Sequence, residues 1–229
     1  MARLAFTKMH GIGNDYVYVD CFEHSVIDPS SLARRISPRR TAIGSDGLIL
    51  IHPSSAADCR MEMYNADGSR GEMCGNGIRC VGKFVYDHGR VRKERLSVET
   101  DAGIKQLELH LEHGKVASVT VDMGEPILEG ARIPVASSGR AVNVPLSVEA
   151  PEGTRTFDVT CVSMGNPHCV VFLPEVDGLD LEKLGPRFER HPFFPKRVNT
   201  EFIQVLQPDL LRMRVWERGS GETAACGTG

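Results

Sequence analysis

At 229 residues, with 27 Lys and Arg against 30 Asp and Glu, the chain carries a formal charge of −3 and has room for one large domain or two of ordinary size. No run of 18 apolar residues occurs and the start, MARLAFTKMHG, lacks a signal-peptide core, so the expectation is a cytoplasmic protein with no membrane segment. The near-neutral charge gives no reason to expect nucleic acid, and seven cysteines, an odd number, fit reduced thiols better than a disulfide framework.

In chain order, a strand in LAFTKMHG breaks at Gly11 to Asp15 and resumes as an alternating strand over 16–19. Asp28 and Pro29 open a helix with Leu32, Ala33 and Ile36, which Pro38 closes. GSDGLILIHP, from Gly44, predicts a turn and a buried strand. MEMY, from Met61, predicts another strand and runs into YNADGSRGEMCGNG, a glycine-rich turn that delivers Cys74. Gly75, Asn76 and Gly77 then open a helix with Ile78, Val81, Phe84 and Val85 on one face. A thiol placed there meets unpaired backbone N–H groups and the positive helix end, which favour thiolate and also suit a carboxylate or phosphate.

Beyond Gly89, three alternating segments (96–100, 104–111 and 116–121) are joined by turns at Asp101-Ala102-Gly103 and His113-Gly114. Residues 124–155, rich in Pro, Gly, Ser and Ala, hold only short strand candidates. The domain boundary is placed near Met123, giving an N-terminal domain over 1–122 and a C-terminal one over 123–229. The second part repeats the order: strands over 159–172 broken at Gly165 to Pro167, a helix opened by Asp180, strands at Phe202 and Met213, then the loop ERGSGETAACGTG with Cys226.

The repetition is exact in spacing. Cys226 in Cys-Gly-Thr-Gly answers Cys74 in Cys-Gly-Asn-Gly at an offset of 152. At that offset Gly13-Asn14 meets Gly165-Asn166, Asp28 meets Asp180, Leu32 meets Leu184 and Arg60-Met61 meets Arg212-Met213. Without gaps, residues 13–77 and 165–229 share 13 identities in 65, where about 4 are expected from composition. Two copies of one unit would carry two activated thiols to a shared cleft. Such a pair suits inversion of a carbon centre: one thiolate removes a proton and the opposite thiol delivers one to the other face, with helix N-termini stabilising the enolate-like carboxylate.

MHGIGNDY, YNADGS…MCGNGIRC, SMGNPHCVVF, RVNTEF and ERGSGETAACGTG resemble the signature blocks of diaminopimelate epimerases, in the expected order from residue 8 onward. The resemblance implies cofactor-independent inversion of LL-2,6-diaminopimelate to the meso form, for lysine and peptidoglycan synthesis. The fold it implies is α+β, with two pseudo-symmetric domains, each a mixed, mostly antiparallel sheet curled around a central helix, in a homodimer. Residue by residue, Cys74 and Cys226 match the base and acid, and His168 and Glu217 the groups that tune them. Asn14, Asn65, Asn166, Asn199, Glu217 and Arg218 match substrate contacts; Gly75, Asn76, Gly227 and Thr228 match the backbone clamp on the reacting carboxylate. No cofactor and no metal are expected.

Two departures accompany the match. Gly47 stands where some relatives have a substrate-contacting glutamine. The second copy stops at its cysteine loop, so the copy is expected to be incomplete and the 229-residue chain to have little or no activity, with Cys226 near an ordinary thiol pKa. Four other readings stand beside the epimerase. A proline or hydroxyproline racemase would share the fold and paired thiols, although the NADGS and GNPH blocks favour a substrate charged at both ends. A metal-binding module finds no CxxC or HxxxH spacing, and a phosphate loop finds neither GxxxxGK[ST] nor GxGxxG. The last reading is an inactive fragment. Cys21, Cys59, Cys80, Cys161 and Cys169 are read as small buried hydrophobes, and the seven histidines other than His168 as surface or structural residues.

Overall fold

The structure, a computed structural model, describes residues 3–150 and 153–229. The chain folds as two compact units, one ending at Gly124 and the other running from Glu125 to Gly229. Among the described residues, no helix is long and apolar enough to cross a membrane.

Unit 1 begins with strands β1 (Thr7–Gly11) and β2 (Asn14–Asp20), followed by helix α1 (Pro29–Ile36). Asp28 caps α1 through its carboxylate on the Ser31 N–H, with Pro29 in the first turn. Strands β3 (Gly47–His52), β4 (Cys59–Asn65) and the short β5 (Arg70–Gly71) lead to helix α2 (Gly75–Asp87). Strands β6 (Arg95–Thr100), β7 (Gly103–Glu112) and β8 (Lys115–Asp122) complete one mixed sheet in the order β1-β2-β3-β4-β6-β7-β8, with β5 on β4. The pairs β2–β3 and β4–β6 are parallel and the others antiparallel.

Helix α2 packs against β1, β2, β7 and β8, which include both ends of the sheet, so the sheet curls around it. Its buried face, Ile78, Val81, Phe84 and Val85, meets Tyr16, Tyr18, Ile49, Ile51, Met61 and Met63 in the main core of the unit. Strand residues alternate faces. Val17, Val19, Leu48 and Leu50 accordingly point to the other side, where α1 supplies Ala33, Leu32 and Ile36.

Unit 2 contains β9 (Val144–Ala150), β10 (Gly153–Ser163), β11 (Pro167–Phe172), helix α3 (Leu181–Glu189), β12 (Asn199–Gln207), β13 (Leu210–Glu217) and β14 (Gly221–Thr223). Its sheet order is β14-β13-β12-β11-β10-β9. The expectation of only short strands over 124–155 is corrected here. VPLSVEA alternates well enough to form a seven-residue strand, and its partner β10 runs for eleven residues. Pairing from Val144↔Val159 to Ala150↔Gly153 supplies the backbone bonds that the weak local composition does not suggest.

The two units repeat one another in register. The parallel pair Tyr16↔Gly47 corresponds to His168↔Asn199, Leu48↔Tyr64 to Thr200↔Trp216, and Tyr64↔Arg70 to Trp216↔Glu222, each at an offset of 152. Only the first hairpin slips: Gly11 faces Asn14, whereas Ser163 faces Pro167, so the second turn is one residue longer. Helix α3 is the counterpart of α1, capped by Asp180, and packs Leu181, Leu184 and Phe188 against Cys161, Cys169, Val171, Phe202 and Trp216. On the face that in unit 1 lies under α2, unit 2 exposes more than half of Phe172, Val205 and Leu211.

Candidate active site

Each cysteine loop follows a short strand, and each rests on the same positions of its sheet. In unit 1, Cys74 is the N-cap residue of α2, and its sulfur accepts the Gly77 N–H at 3.3 Å. The thiol is buried and donates to Asn14 Oδ1 at 3.4 Å. Asn76 Nδ2 donates to the same oxygen, also at 3.4 Å. The orientation of the Asn14 amide is set from behind, because its Nδ2 donates to Asp46 Oδ2 at 2.8 Å and Arg39 grips the other oxygen of Asp46 at 2.6 Å. Glycine at 77 lets the helix start approach the sheet closely: a Cβ there would lie 2.6 Å from Ile49 Cδ1. The free end of the helix therefore delivers an N–H to the sulfur, and the Gly75 and Asn76 backbone forms the first turn beside it.

Asn65 is buried at the end of β4, where its Nδ2 donates to Ser69 Oγ at 3.0 Å. Gly47 pairs with both Tyr16 and Asn65 across the sheet. A Cβ at 47 would collide with the Tyr64 carbonyl oxygen and lie 2.9 Å from Tyr16 Cε1, so the β2–β3–β4 packing leaves no room there for a glutamine-like side chain.

In unit 2 the equivalent elements hold a different chemistry. His168 on β11 and Glu201 on β12 are both about 1% exposed, and His168 Nδ1 lies 2.6 Å from Glu201 Oε1. His168 Nε2 lies 2.9 Å from Asn166 Oδ1. Asn166 Nδ2 donates to Thr228 Oγ1 at 3.2 Å, and that hydroxyl is 3.4 Å from Cys226 Sγ. Asn199 has both ends of its amide engaged on backbone: Nδ2 donates to the Pro167 carbonyl, and Oδ1 accepts the Arg218 N–H at 2.8 Å. It thereby fixes the turn that carries Arg218, whose guanidinium also donates to the Lys196 carbonyl. Glu217, at the end of β13, accepts from Thr223 Oγ1 at 2.6 Å. Gly227, exposed, joins Cys226 to Thr228.

The thiol of Cys226 departs from the expectation of a near-ordinary thiol pKa. Burial pushes it up to about 12, and the carboxylates of Glu217 and Glu201 push in the same direction; hydrogen bonds to Thr228 oppose them weakly. The resting thiol is therefore protonated. Of the cysteines read as structural, Cys59, Cys80, Cys161 and Cys169 are buried and Cys21 is half-buried; burial raises Cys59 to about 12 and Cys21 to about 11. His168 is the one buried histidine of the eight.

Donor atoms of His168, Glu201 and Cys226 lie within 4.8 Å of one another, the one such group among the described residues that could hold a metal ion. Both nitrogens of His168 are already committed to hydrogen bonds, so an ion there would have to displace one of them. Glu201 was not among the residues singled out from sequence. The offset of 152 places it opposite Ile49, a core residue of unit 1, and a glutamate at a core position of a repeated strand was the signal that marked it.

The structure resembles two-domain α+β isomerases. A probable proline racemase from Agrobacterium radiobacter superposes with a TM-score of 0.71 at 16% identity, covering 98% of this chain and 74% of that one. A hydroxyproline epimerase from Agrobacterium vitis gives 0.65 at 17% identity, covering 97% and 72%. At such identities the likeness concerns the fold. The sequence goes further: the diaminopimelate epimerase family profile matches residues 6–129 and 160–229. Diaminopimelate epimerases from Desulfovibrio desulfuricans and Acetivibrio thermocellus are 57% and 56% identical, each over 99% of this chain and 80% of the relative. One from Methanococcus maripaludis is 51% identical over the same shares. The chain belongs to the diaminopimelate epimerase family.

Proposed function

We propose that the chain is an amino-acid epimerase that inverts one stereocentre of LL-2,6-diaminopimelate to give the meso form, in lysine and peptidoglycan precursor synthesis, with Cys74 and Cys226 as the base and acid. The observation that carries this reading is the repeated half-site. Two cysteines occupy one position in two copies of the same sheet unit, and each loop is tied to the asparagine that opens the equivalent strand, Asn14 or Asn166. Membership of the family supplies the substrate.

In the chemistry proposed, one sulfur takes the α-proton as thiolate, and the other, as thiol, gives a proton to the opposite face of the carbon. One C–H bond breaks and one forms, so no electron acceptor is consumed. The negative charge that develops on the α-carboxylate is met by backbone N–H groups of Gly75 and Asn76 and of Gly227 and Thr228. Asn14, Asn65, Asn166 and Arg218 bind the polar ends of the substrate. Asn199 contributes by holding Arg218 in place, and Glu217 and His168 tune Cys226. The protein acts as a cytoplasmic homodimer, a state that light scattering of the purified protein would check.

The test is proton–deuterium exchange at the α-carbons of LL-diaminopimelate in D2O, followed by NMR, with the Desulfovibrio relative as positive control. Formation of the meso isomer that disappears in both Cys74→Ala and Cys226→Ala, even where one variant still exchanges the α-proton with retention, supports the reading. Inversion that persists in either variant, or exchange that occurs with proline and not with diaminopimelate, overturns it.

A further inference from the structure

Glu201 has no counterpart in the chemistry of unit 1. Its equivalent, Ile49, is a core residue, and the equivalent of His168 is Tyr16 in the same core. The glycine three residues after each cysteine rests on this strand position in both units, Gly77 on Ile49 and Gly229 on Glu201. An apolar residue is therefore sufficient to build the seat. A buried carboxylate is costly unless it is paired and hydrogen-bonded. Here Oε1 meets His168 Nδ1 at 2.6 Å, and Oε2 has no hydrogen-bond partner among the described residues.

We propose that Glu201 is a positioning residue whose carboxylate, by holding His168 Nδ1, fixes the direction of a hydrogen-bond chain that ends on the Cys226 sulfur. The direction follows from what each group can donate. Asn166 Nδ2 donates to Thr228 Oγ1, which turns Asn166 Oδ1 toward His168 Nε2. An amide oxygen only accepts, so Nε2 carries a proton. The carboxylate also only accepts, so Nδ1 carries the second. Thr228, having accepted from Asn166, has its own hydroxyl proton free for Cys226 Sγ at 3.4 Å. The chain thus offers a donor to whichever state of the sulfur has just lost its proton. Facing this sulfur are Glu217 from β13, Glu201 from β12 and His168 from β11.

Neutral glutamine at 201 removes the reason for two protons on the imidazole. His168 then keeps its proton on Nδ1, and Nε2 becomes an acceptor. The Asn166 amide turns to donate to it, and the Thr228 hydroxyl turns from the sulfur to the exposed amide oxygen. The proposal rests on the two-thiol reading for its catalytic consequence, while its first test needs no turnover. In 15N-labelled protein without substrate, both nitrogens of His168 should show attached protons near neutral pH, and Nε2 should lose its proton in Glu201→Gln. In exchange assays Glu201→Gln should lose roughly tenfold or more in kcat, in the range of lost outer-shell partners, and Glu201→Asp should recover part of it. A wild-type His168 with a single proton overturns the proposal even if the enzyme is active, and so does a Glu201→Gln variant with unchanged proton count and kcat. Failure to turn over diaminopimelate, with both protons in place, leaves the proposal standing and overturns the active-epimerase reading of this chain in favour of the inactive fragment.

Discussion

Cys226 should be a poor nucleophile near neutral pH, and the structure sets how poor. Its thiol is pushed from 9.0 to about 12, first by burial and then by Glu217 and Glu201. At about pH 8 a thiol titrating at 9 is roughly one-tenth ionised and one titrating near 12 about a thousandfold less so. The more basic thiolate is intrinsically more nucleophilic, by roughly twentyfold over three pH units at a Brønsted slope of about 0.45. The two effects together leave Cys226 about 50-fold slower toward iodoacetamide than an ordinary free thiol. Peptide-resolved mass spectrometry over a pH series measures this directly, and the rate should still be climbing well above pH 9. Glu217→Gln removes the larger of the two negative contributions, so its curve should move to lower pH. Free-thiol reactivity at about pH 8, levelling off near pH 9 to 10 in the manner of an ordinary cysteine, would refute the argument. The sign for stability is the same. The folded state keeps this proton between pH 9.0 and about 12, where the unfolded chain loses it. Its contribution is complete below that window and lost as pH rises through it.

Three further outcomes follow from the packing. Gly77→Ala places a methyl 2.6 Å from Ile49 Cδ1; overpacking there should cost about 1–3 kcal/mol in urea unfolding and push the backbone N–H of residue 77 away from the Cys74 sulfur. Trp216→Phe deletes the donor to Glu189 Oε2, at 2.8 Å, and should destabilise by about 1–3 kcal/mol, read from the thermal midpoint. Asn199→Ala frees the Arg218 turn, and the expected result is a rise in KM larger than any fall in kcat.

Much of the scaffold was legible because local chemistry and tertiary demand agree in it. Asp28-Pro29 and Asp180 are helix caps in sequence and in structure, and the apolar stripe of Ile78, Val81, Phe84 and Val85 is the buried face of α2. The 152-residue offset was informative down to strand register, since repeated copies must keep the same faces buried. Strands β9 and the start of β10 were harder to see, because Pro145 and Gly153 break the local pattern and only mutual pairing defines them. The state of Cys226 was not readable either. Its pKa depends on carboxylates from two other strands, and a motif gives residue types without the distances between them. Glu201 was legible only through the 152-residue offset, as a glutamate at the position of the core residue Ile49.

The divergence of the two copies makes a last prediction, on the separation of stability from chemistry. The sheet face beneath each cysteine loop uses equivalent positions: Tyr16 and Ile49 in unit 1, His168 and Glu201 in unit 2. Because unit 1 builds the same strands in the same register with the apolar pair, the polar pair in unit 2 is not needed for the fold. Replacing a buried ion pair by apolar groups of similar size is often neutral or stabilising by about 1–4 kcal/mol, whereas removing one partner alone is costly. The double variant His168→Tyr with Glu201→Ile should therefore unfold in urea within about 1 kcal/mol of wild type, or above it, while losing α-proton exchange. Ile49→Glu, which puts an unpaired carboxylate into the core of unit 1, should lose several kcal/mol (roughly 3–5). If the double variant is as unstable as Ile49→Glu, the polar pair is structural, and its place in the catalytic network falls with it.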